Sequence, residues 1–181
     1  MLNQIESEIL VFIQDNLRVE WLNHVFVFIT HFGDGGLFWI LICAILLLRK
    51  STRMSGLTAS VSISLGALCT NVFLKIVVHR TRPYLVNESL RILIDFPGDF
   101  SFPSGHTCAS FAVATVMLLT LPRKYGIPAV IFASLIAISR LYIGVHYPTD
   151  VLGGLIIGIG AAFIATAIVK KITKKDVKQN I

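Results

Sequence analysis

The segment from Lys75 to Pro83 carries two cations whose spacing suits the binding of an anion. Lys75 and Arg82 are seven positions apart, which is about two turns of an α-helix. A helix at this point directs both side chains along one face, and Pro83 then ends or redirects the chain. The alternative is that the two cations only extend toward lipid headgroups.

A second segment, Pro103 to Thr107, precedes a long apolar run and has the composition of a helix start. The free amides and the positive dipole end of a helix N-terminus bind anions, and Gly105 lets an oxyanion approach the main chain. Ser104 adds a hydroxyl, although a serine before a helix is more often an N-cap. His106 follows, and the alternative for it is an ordinary interfacial histidine.

A third segment, Ser139 to Asp150, combines an arginine with a histidine and a carboxylate four positions apart. Asp150 can accept a hydrogen bond from one ring nitrogen of His146, which leaves the other nitrogen free and basic for attack. Arg140 offers a planar fork of donors for phosphoryl oxygens. The alternative is that Asp150 stabilises the dipole of a helix start and that His146 is its surface neighbour.

The composition indicates that these segments belong to a membrane protein. Of the 181 residues, 55% are apolar and only 14% are charged, which is far from the average of soluble domains. A helix needs roughly 20 apolar residues to cross a bilayer, so the chain has room for about six spans and no separate soluble domain. We expect residues 1–181 to form a single membrane-embedded, all-α domain.

The apolar runs predict where the helices lie. Residues 3–17 have the mixed pattern of an amphipathic helix in the membrane interface, so we assign 1–18 to an interfacial helix, 19–172 to the transmembrane bundle and 173–181 to a basic tail. Runs at 19–32 and 36–48 are short, and the turn from His31 to Gly36 predicts a tilted hairpin between them. The other runs are 54–78, 104–122, 125–145 and 150–169. Four-residue spacing of small side chains, at Gly56, Ser60 and Ser64 and at Gly154 and Gly158, predicts close helix contacts.

The cations are clustered beside the apolar runs, and this placement argues against a nucleic-acid partner for the net charge of +6. Six crossings put three clusters on one side, which the positive-inside rule makes cytoplasmic together with both termini. The three segments above then face the periplasm or the cell exterior. The clusters are Arg49, Lys50 and Arg53; Arg123 and Lys124; and Lys170, Lys171, Lys174, Lys175 and Lys178.

Cys43, Cys69 and Cys108 lie in apolar runs without paired spacing, which favours buried small residues over disulfides or a zinc site. No acidic cluster has the spacing of metal ligands, so we expect no metal and no other cofactor. Nothing in the sequence indicates an obligate protein partner.

Together the three segments resemble the motifs of the type 2 phosphatidic acid phosphatase family, which is related to the vanadium haloperoxidases. The pattern is Lys, six residues, Arg-Pro; then Pro-Ser-Gly-His; then Ser-Arg, five residues, His, three residues, Asp. Every fixed position is matched in order, by Lys75, Arg82, Pro83, Pro103, Ser104, Gly105, His106, Ser139, Arg140, His146 and Asp150.

The resemblance implies a role for each matching residue. His146 attacks phosphorus, Asp150 orients it, and His106 protonates the leaving oxygen and then activates water. Lys75, Arg82, Arg140, Ser104 and the Gly105 amide hold the phosphoryl oxygens in place of a metal ion. The substrate implied is a membrane lipid that carries a phosphate or diphosphate: undecaprenyl diphosphate first, phosphatidylglycerophosphate or phosphatidate second.

Two other uses of such a pocket remain open, and several polar residues lie outside the motifs. One is the binding or transport of a lipid phosphate without turnover; the other is the binding of vanadate as in the haloperoxidases, although those relatives are soluble. We interpret Arg80 as a headgroup contact, and His24 and His31 as packing or interface residues. The loop 84–103, with Asp99 near Gly98, is a candidate lid.

Overall fold

The computed structural model describes the backbone of residues 2–179 and the side chains of residues 3–173, and its regular elements are helical. This confirms the all-α prediction for that part of the chain. The helices are α1 (Leu2–Leu17), α2 (Glu20–His31), α3 (Leu37–Leu48), α4 (Arg53–Ala67), α5 (Lys75–Val78), α6 (Pro83–Val86), α7 (Gly105–Thr120), α8 (Arg123–Tyr142) and α9 (Pro148–Gln179), with a 3₁₀ turn at Asp34–Gly36 and a π-helix at Leu68–Leu74. Seven of the described helices have at least twelve residues.

The helices that carry the three motif segments meet at one end of the bundle, which we call the motif end. There α5 and α8 end and α7 and α9 begin. The backbone amide of Ser104 donates to the carbonyl of Asp150 (3.0 Å), so the starts of α7 and α9 are joined directly. The opposite end holds the turns between α3 and α4 and between α7 and α8, which carry two of the predicted basic clusters. The third cluster begins at Lys170 on the same end of α9, and its members from Lys174 onward lie outside the described side chains.

The prediction of a hairpin at residues 31–36 is wrong. The axes of α2 and α3 differ by a bend of only 43°, so the two helices form one kinked element that runs from the motif end to the opposite end. Along it, Asn23 contacts the C-terminal Tyr142 of α8, while Phe32 packs against Phe132 ten residues earlier in α8. The kink occurs where Gly35 and Gly36 have positive φ angles of 56° and 69°, which interrupt the helix.

Fewer helices qualify as spans than the six that the apolar runs predict. By length and composition, three described segments can cross a membrane: Arg53–Val86, Arg123–Tyr142 and Pro148–Thr173. The kinked pair α2–α3 makes a fourth if it is counted as one span, and α7 is apolar but shorter. Large apolar side chains are exposed along these helices, as expected for surfaces that face lipid.

The close helix contacts predicted from the small residues are confirmed for the glycines Gly56, Gly154 and Gly158, whereas Ser60 and Ser64 line a cavity between α3 and α4. A methyl group on Gly158 would lie 2.5 Å from the carbonyl oxygen of Cys108, and one on Gly154 would lie 2.4 Å from that of Ser104, so α9 packs directly on the α7 backbone. Gly56 allows the same approach of α4 to Leu47 of α3, with 2.6 Å to its backbone nitrogen. Helix α7 is therefore held centrally, with α4, α8 and α9 around it.

The N-terminal helix lies at the motif end, packed against α8. Its Leu10 is fully buried with Tyr142 and Ile143, and the side chain of Arg18, which follows the helix, donates to the carbonyl of Tyr142 at 2.9 Å. This corrects the expectation that both termini lie on the side of the basic clusters. A hairpin between α2 and α3 would place the N-terminus on that side. The described residues have a bend of 43° there instead, so α1 stays at the motif end.

Candidate active site

His146 and Asp150 lie where the loop after α8 joins the start of α9. Both side chains are buried, and Nδ1 of His146 is 3.5 Å from Oδ2 of Asp150. That separation is within the range of an ion pair, and Nδ1 makes no hydrogen bond to a described residue. Burial lowers the pKa of His146 to about 3, with the nearby Arg82 and Arg140 acting in the same direction and Asp150 opposing them. The imidazole is therefore neutral, as a nucleophile must be.

Asp150 is held in place by three further donors. Its Oδ2 accepts from the hydroxyl of Ser101 (2.5 Å) and from the amide of Tyr147 (2.9 Å), and its Oδ1 accepts from Arg80 (2.6 Å). These contacts turn Oδ2 toward Nδ1 of His146 and leave Nε2 of the ring on the opposite side. Arg82 Nη1 is 3.5 Å from that Nε2, so the free nitrogen faces a cation of the first motif.

Lys75 and Arg82 come together, although by a different route from the predicted one. The helix ends at Val78, His79 adopts a left-handed φ of 49°, and the chain reaches Arg82 in extended form. The expectation of one helical face over both residues is thus wrong. The two cations instead converge through a shared partner, because Lys75 and Arg82 each pair with one carboxylate oxygen of Asp99.

Asp99 lies in the loop 87–103, and its carboxylate is the anion that pairs with these cations. Its side chain is about half exposed, at 51%. Partial burial disfavours the carboxylate, but the hydrogen bonds and charges of Lys75 and Arg82 outweigh that effect and lower the pKa of Asp99 to about 2. In the structure an ionised carboxylate therefore contacts two of the residues that the motif assigns to phosphate.

The second motif forms the start of α7 as predicted. Ser104 is its N-cap and accepts from the amide (3.4 Å) and hydroxyl (3.0 Å) of Thr107, which is the alternative role weighed for this serine. Gly105 lies beside the lysine of the first motif, since a methyl group placed on it would be 3.9 Å from Nζ of Lys75 and 3.2 Å from Asn71. Gly105 and Lys75 thus line the same space.

His106 contacts the kink between α2 and α3. Its Nε2 is 2.8 Å from Oδ1 of Asp34, and Oδ2 of Asp34 is 2.8 Å from Nδ1 of His31. Gly33 packs against the ring so closely that a methyl group there would lie 2.3 Å from Cδ2 of His106. The expected packing role of His31 is thereby refined, because it belongs to a chain of three polar side chains that ends on His106.

Arg140 is buried between α8 and α2. Its Nη1 donates to the hydroxyl of Thr30 at 2.6 Å, while its Nε has no hydrogen-bond partner among the described residues. A buried guanidinium with a free donor is costly unless an anion satisfies it. The free Nε of Arg140 is therefore available to donate a hydrogen bond to a phosphoryl oxygen.

A cavity of about 670 Å³ lies between α3 and α4 and reaches the first and second motifs, while His146 and Arg140 of the third motif are not among the residues that line it. Lys75, Asp99, Gly105 and His106 line its polar end. The rest of its wall is largely apolar or small, and it includes Ile40, Cys43, Ala44, Leu47, Ser60, Ile63, Ser64 and Ala67. A polar head and an apolar arm in one cavity fit an amphiphile better than a small soluble anion.

Several residues at the site were not found from the sequence. Glu6 and Ser101 belong to no motif. Asp34 and Thr30 lie in segments that the sequence predicts only as a turn and a span, and the sequence predicts a headgroup contact for Arg80. One signal was available, since Arg80 and Glu6 are charges next to or within apolar surroundings, where an ionisable group needs a partner. Among the described side chains, His, Cys, Asp and Glu form no group of three or more that could hold a metal ion.

Comparison with known proteins agrees with this geometry. Residues 55–174, more than half of the chain, match the PAP2 superfamily. An undecaprenyl-diphosphatase of Sulfolobus acidocaldarius is 34% identical over 151 residues, which are 83% of this chain and 72% of that protein. The undecaprenyl-diphosphatase BcrC of Bacillus subtilis is 33% identical over 177 residues, covering 88% of this chain and 90% of the relative.

Solved structures show the same fold. The crystal structure of a transmembrane PAP2-type phosphatidylglycerolphosphate phosphatase from Bacillus subtilis superposes with a TM-score of 0.75 at 31% identity, over 94% of this chain and 87% of that one. A bacterial vanadium-dependent iodoperoxidase superposes with a TM-score of 0.69 at 19% identity, over 90% of this chain and 48% of that one, which shows the fold shared with the haloperoxidases. By its motifs, its fold and these matches, the chain belongs to the PAP2 superfamily of membrane lipid phosphatases.

Proposed function

We propose that this protein hydrolyses undecaprenyl diphosphate to undecaprenyl phosphate and inorganic phosphate through a phosphohistidine on His146, without a metal ion. The observation that carries the proposal is the arrangement of His146, whose Nδ1 faces the buried Asp150 and whose Nε2 faces Arg82. A neutral imidazole held in this way has one nitrogen free for attack beside a cation that attracts the phosphoryl group.

In the first step, Nε2 of His146 attacks the terminal phosphorus in line, and the bond from phosphorus to the leaving oxygen breaks. His106 gives that oxygen a proton, so the lipid leaves as its monophosphate. Asp150 accepts the hydrogen bond from Nδ1 and stabilises the positive ring as the P–N bond forms.

In the second step, His106 takes a proton from water, whose oxygen attacks phosphorus and breaks the P–N bond to release phosphate. Lys75, Arg82 and Arg140 balance the charge on the equatorial oxygens in both steps, together with the Gly105 amide. Ser104 holds the start of α7, and its hydroxyl is a further donor if it turns away from Thr107 when phosphate binds. Three fixed cations supply the charge that magnesium provides in other phosphoryl-transfer enzymes.

The choice of substrate rests on the cavity and on the relatives. The apolar arm between α3 and α4 fits the first part of a lipid chain, while the polar end takes the phosphate. Two of the relatives named above are undecaprenyl-diphosphatases, which favours a prenyl diphosphate. A relative from Bacillus subtilis named phosphatidylglycerophosphatase B, 34% identical over 175 residues, makes phosphatidylglycerophosphate the second candidate and phosphatidate a related one.

The proposed location is the cell membrane, which the enzyme crosses several times, with the end opposite the motif end in the cytoplasm. The positive-inside rule places the clusters around Arg49 and Arg123 there, so the motif end faces the periplasm or exterior. We count five crossings rather than the six predicted: α2–α3 as one kinked span, α4 to α5, α7, α8 and α9. Under this count α1 lies in the outer interface, and the termini are on opposite sides.

The test compares the wild type with His146→Ala and with His24→Ala, an exposed histidine outside the site, after purification in detergent. With chelator present, phosphate release is measured from undecaprenyl diphosphate, phosphatidylglycerophosphate and phosphatidate. We expect His146→Ala to lower kcat by a factor on the order of 10⁴ or more and His24→Ala to behave as the wild type. Vanadate, which resembles the transferring phosphoryl group, is expected to inhibit.

Each part of the proposal has its own contradicting result. Activity retained by His146→Ala would exclude this histidine as nucleophile, and loss of activity in chelator that magnesium restores would exclude a metal-free mechanism. A preference for phosphatidylglycerophosphate over undecaprenyl diphosphate would replace the substrate. Binding of lipid phosphate without release from any of the three lipids would favour the binder or transporter.

A further inference from the structure

We infer that Glu6 of the N-terminal helix and Arg80 are positioning residues for the nucleophile, acting through Asp150. The inference rests on the proposed function, because it takes His146 as the attacking group. It assigns the helix α1 a part in catalysis that the sequence does not indicate, since residues 3–17 have the pattern of an ordinary interfacial helix. Its basis is a set of buried contacts that joins α1 to the start of α9.

Arg80 contacts the catalytic aspartate directly. Its Nη1 is 2.6 Å from Oδ1 of Asp150 and 2.6 Å from the hydroxyl of Thr149. The guanidinium lies over the ring of Tyr147, 4.0 Å from its centroid, and its side chain is only 13% exposed. This environment differs from the headgroup contact predicted for Arg80, because the guanidinium points into the protein behind Asp150.

Glu6 completes the arrangement from α1. It is 3% exposed, and its Oε2 pairs with Nη2 of Arg80. Its Oε1 accepts from both the amide and the hydroxyl of Thr149 at 2.7 Å each. Because Thr149 directly precedes Asp150, one glutamate fixes both the backbone at the start of α9 and the arginine that holds the aspartate.

The three charges alternate in sign, from Glu6 to Arg80 to Asp150. A buried carboxylate needs a partner that compensates its lost hydration, and Arg80 does so for both acids. Without Glu6, Nη2 of Arg80 keeps only the neutral acceptor Asn3 (2.7 Å), so the guanidinium is held less firmly against Oδ1. The contact that weakens is one of the three that orient Asp150 toward His146, and displacement of an orienting group by about 1 Å can cost on the order of a hundredfold in rate.

The three phosphate-binding cations are not part of this network. Arg82 and Lys75 pair with Asp99, and Arg140 with Thr30. Loss of Glu6 should therefore slow the attack of His146 while leaving the affinity for a phosphate-like anion unchanged. That separation distinguishes a positioning role from a general loss of structure, which lowers both.

The test is Glu6→Gln, which keeps the size and an acceptor for Thr149 but removes the charge opposite Arg80. Glu8→Gln on the exposed face of the same helix is the matched control. We expect Glu6→Gln to lower kcat on undecaprenyl diphosphate about tenfold or more, with KM and the Ki of the product, inorganic phosphate, within twofold of the wild type. The rate of phosphohistidine formation in a single turnover should fall by the same factor, and Glu6→Asp should restore part of it. Glu8→Gln should match the wild type.

Arg80→Gln and the double variant Glu6→Gln/Arg80→Gln show whether the two residues act as one unit. In that case the double variant is no slower than Arg80→Gln alone, since the glutamate works through the arginine. Wild-type kcat in Glu6→Gln, multiplicative losses in the double variant, or a rise in the Ki of inorganic phosphate equal to the loss in kcat would each overturn the inference. If His146→Ala is inactive while Glu6→Gln is normal, the inference fails and the proposed function stands; if His146→Ala is active, the proposed function fails first.

Discussion

At the scale of single residues, the pocket is already occupied by a charge of the protein itself. Asp99 pairs with both Lys75 and Arg82, and those cations keep its pKa at about 2 despite partial burial. Because the pKa of this carboxylate is depressed, its ion pairs contribute fully to the stability of the fold at any pH above the ordinary aspartate pKa near 4. That contribution is lost as the pH falls through about 2. A phosphate that enters must therefore displace an ionised carboxylate throughout the range in which the enzyme is assayed.

Asp99→Asn should accordingly strengthen inhibition by vanadate. Removing the competing charge is expected to lower the Ki about three- to tenfold, a modest change because Asp99 is half exposed and screened by solvent. The ratio of the two Ki values should be the same at pH 5 and pH 8, since Asp99 is ionised at both. Asp95→Asn, an exposed carboxylate in the same loop, is the control. Equal Ki values for the wild type and Asp99→Asn at pH 5 would show that the pKa of Asp99 is not depressed. Weaker inhibition of Asp99→Asn by vanadate would show that Asp99 helps to hold the anion.

At the scale of helices, the site depends on how closely α9 lies on α7. Ser104 and Asp150 are joined by a backbone hydrogen bond of 3.0 Å, and both helix starts contribute to the pocket. Two glycines of α9 make this approach possible, because their missing side chains leave room for the carbonyls of Ser104 and Cys108. In lipid, such close backbone contact replaces the hydrophobic drive that holds helices together in water.

Gly158→Ala tests this contact, with Gly160→Ala as its control on the same helix. A methyl group on Gly158 meets the α7 backbone at 2.5 Å, whereas one on Gly160 meets no atom within 4 Å. We expect Gly158→Ala to lower stability by about 1–3 kcal/mol through forced separation of the helices, measured as thermal unfolding in detergent. Gly160→Ala should be neutral or slightly stabilising because alanine favours a helix. Equal melting temperatures for all three proteins would refute the packing role.

At the scale of the whole molecule, the kink of 43° between α2 and α3 changes the topology. A hairpin there adds one crossing and returns the N-terminus to the side of the basic clusters, whereas a single kinked element leaves it at the motif end. The contacts of Glu6 with Thr149 require the second arrangement. The six cations outside the three basic clusters, namely Arg18, Lys75, Arg80, Arg82, Arg91 and Arg140, belong to this end or to the loops above it.

Cysteine labelling in intact cells can test this topology. In a background where the three native cysteines are replaced, Glu8→Cys and Glu88→Cys should both react with a membrane-impermeant maleimide, and Lys124→Cys should react only after the membrane is opened. All three positions are exposed to solvent or lipid headgroups rather than buried. Labelling of Glu8→Cys that needs permeabilisation while Glu88→Cys does not would restore the six-span topology.

Sequence alone predicted the residues that are proposed to act on phosphorus and most of the helices that they lie on or beside. Apolar runs long enough for the membrane predict helices from local composition, and the fold has helices at each run because backbone groups in lipid must bond within their own segment. The spacing in the third motif is likewise local, since His146 and Asp150 meet across the first turn of α9. The N-cap at Ser104 follows from one residue and its neighbours.

What only the tertiary structure decided is which distant residues face these groups. Glu6 and Asp150 are separated by most of the chain, and Asp34 and His106 by 72 positions. No sequence periodicity indicates which surface of α1 or which turn contacts the site. The kink between α2 and α3 could not be predicted from the sequence either, because two short apolar runs with glycines between them fit a hairpin and a bend equally well. Packing against α8 decides between them, and it depends on all the helices at once.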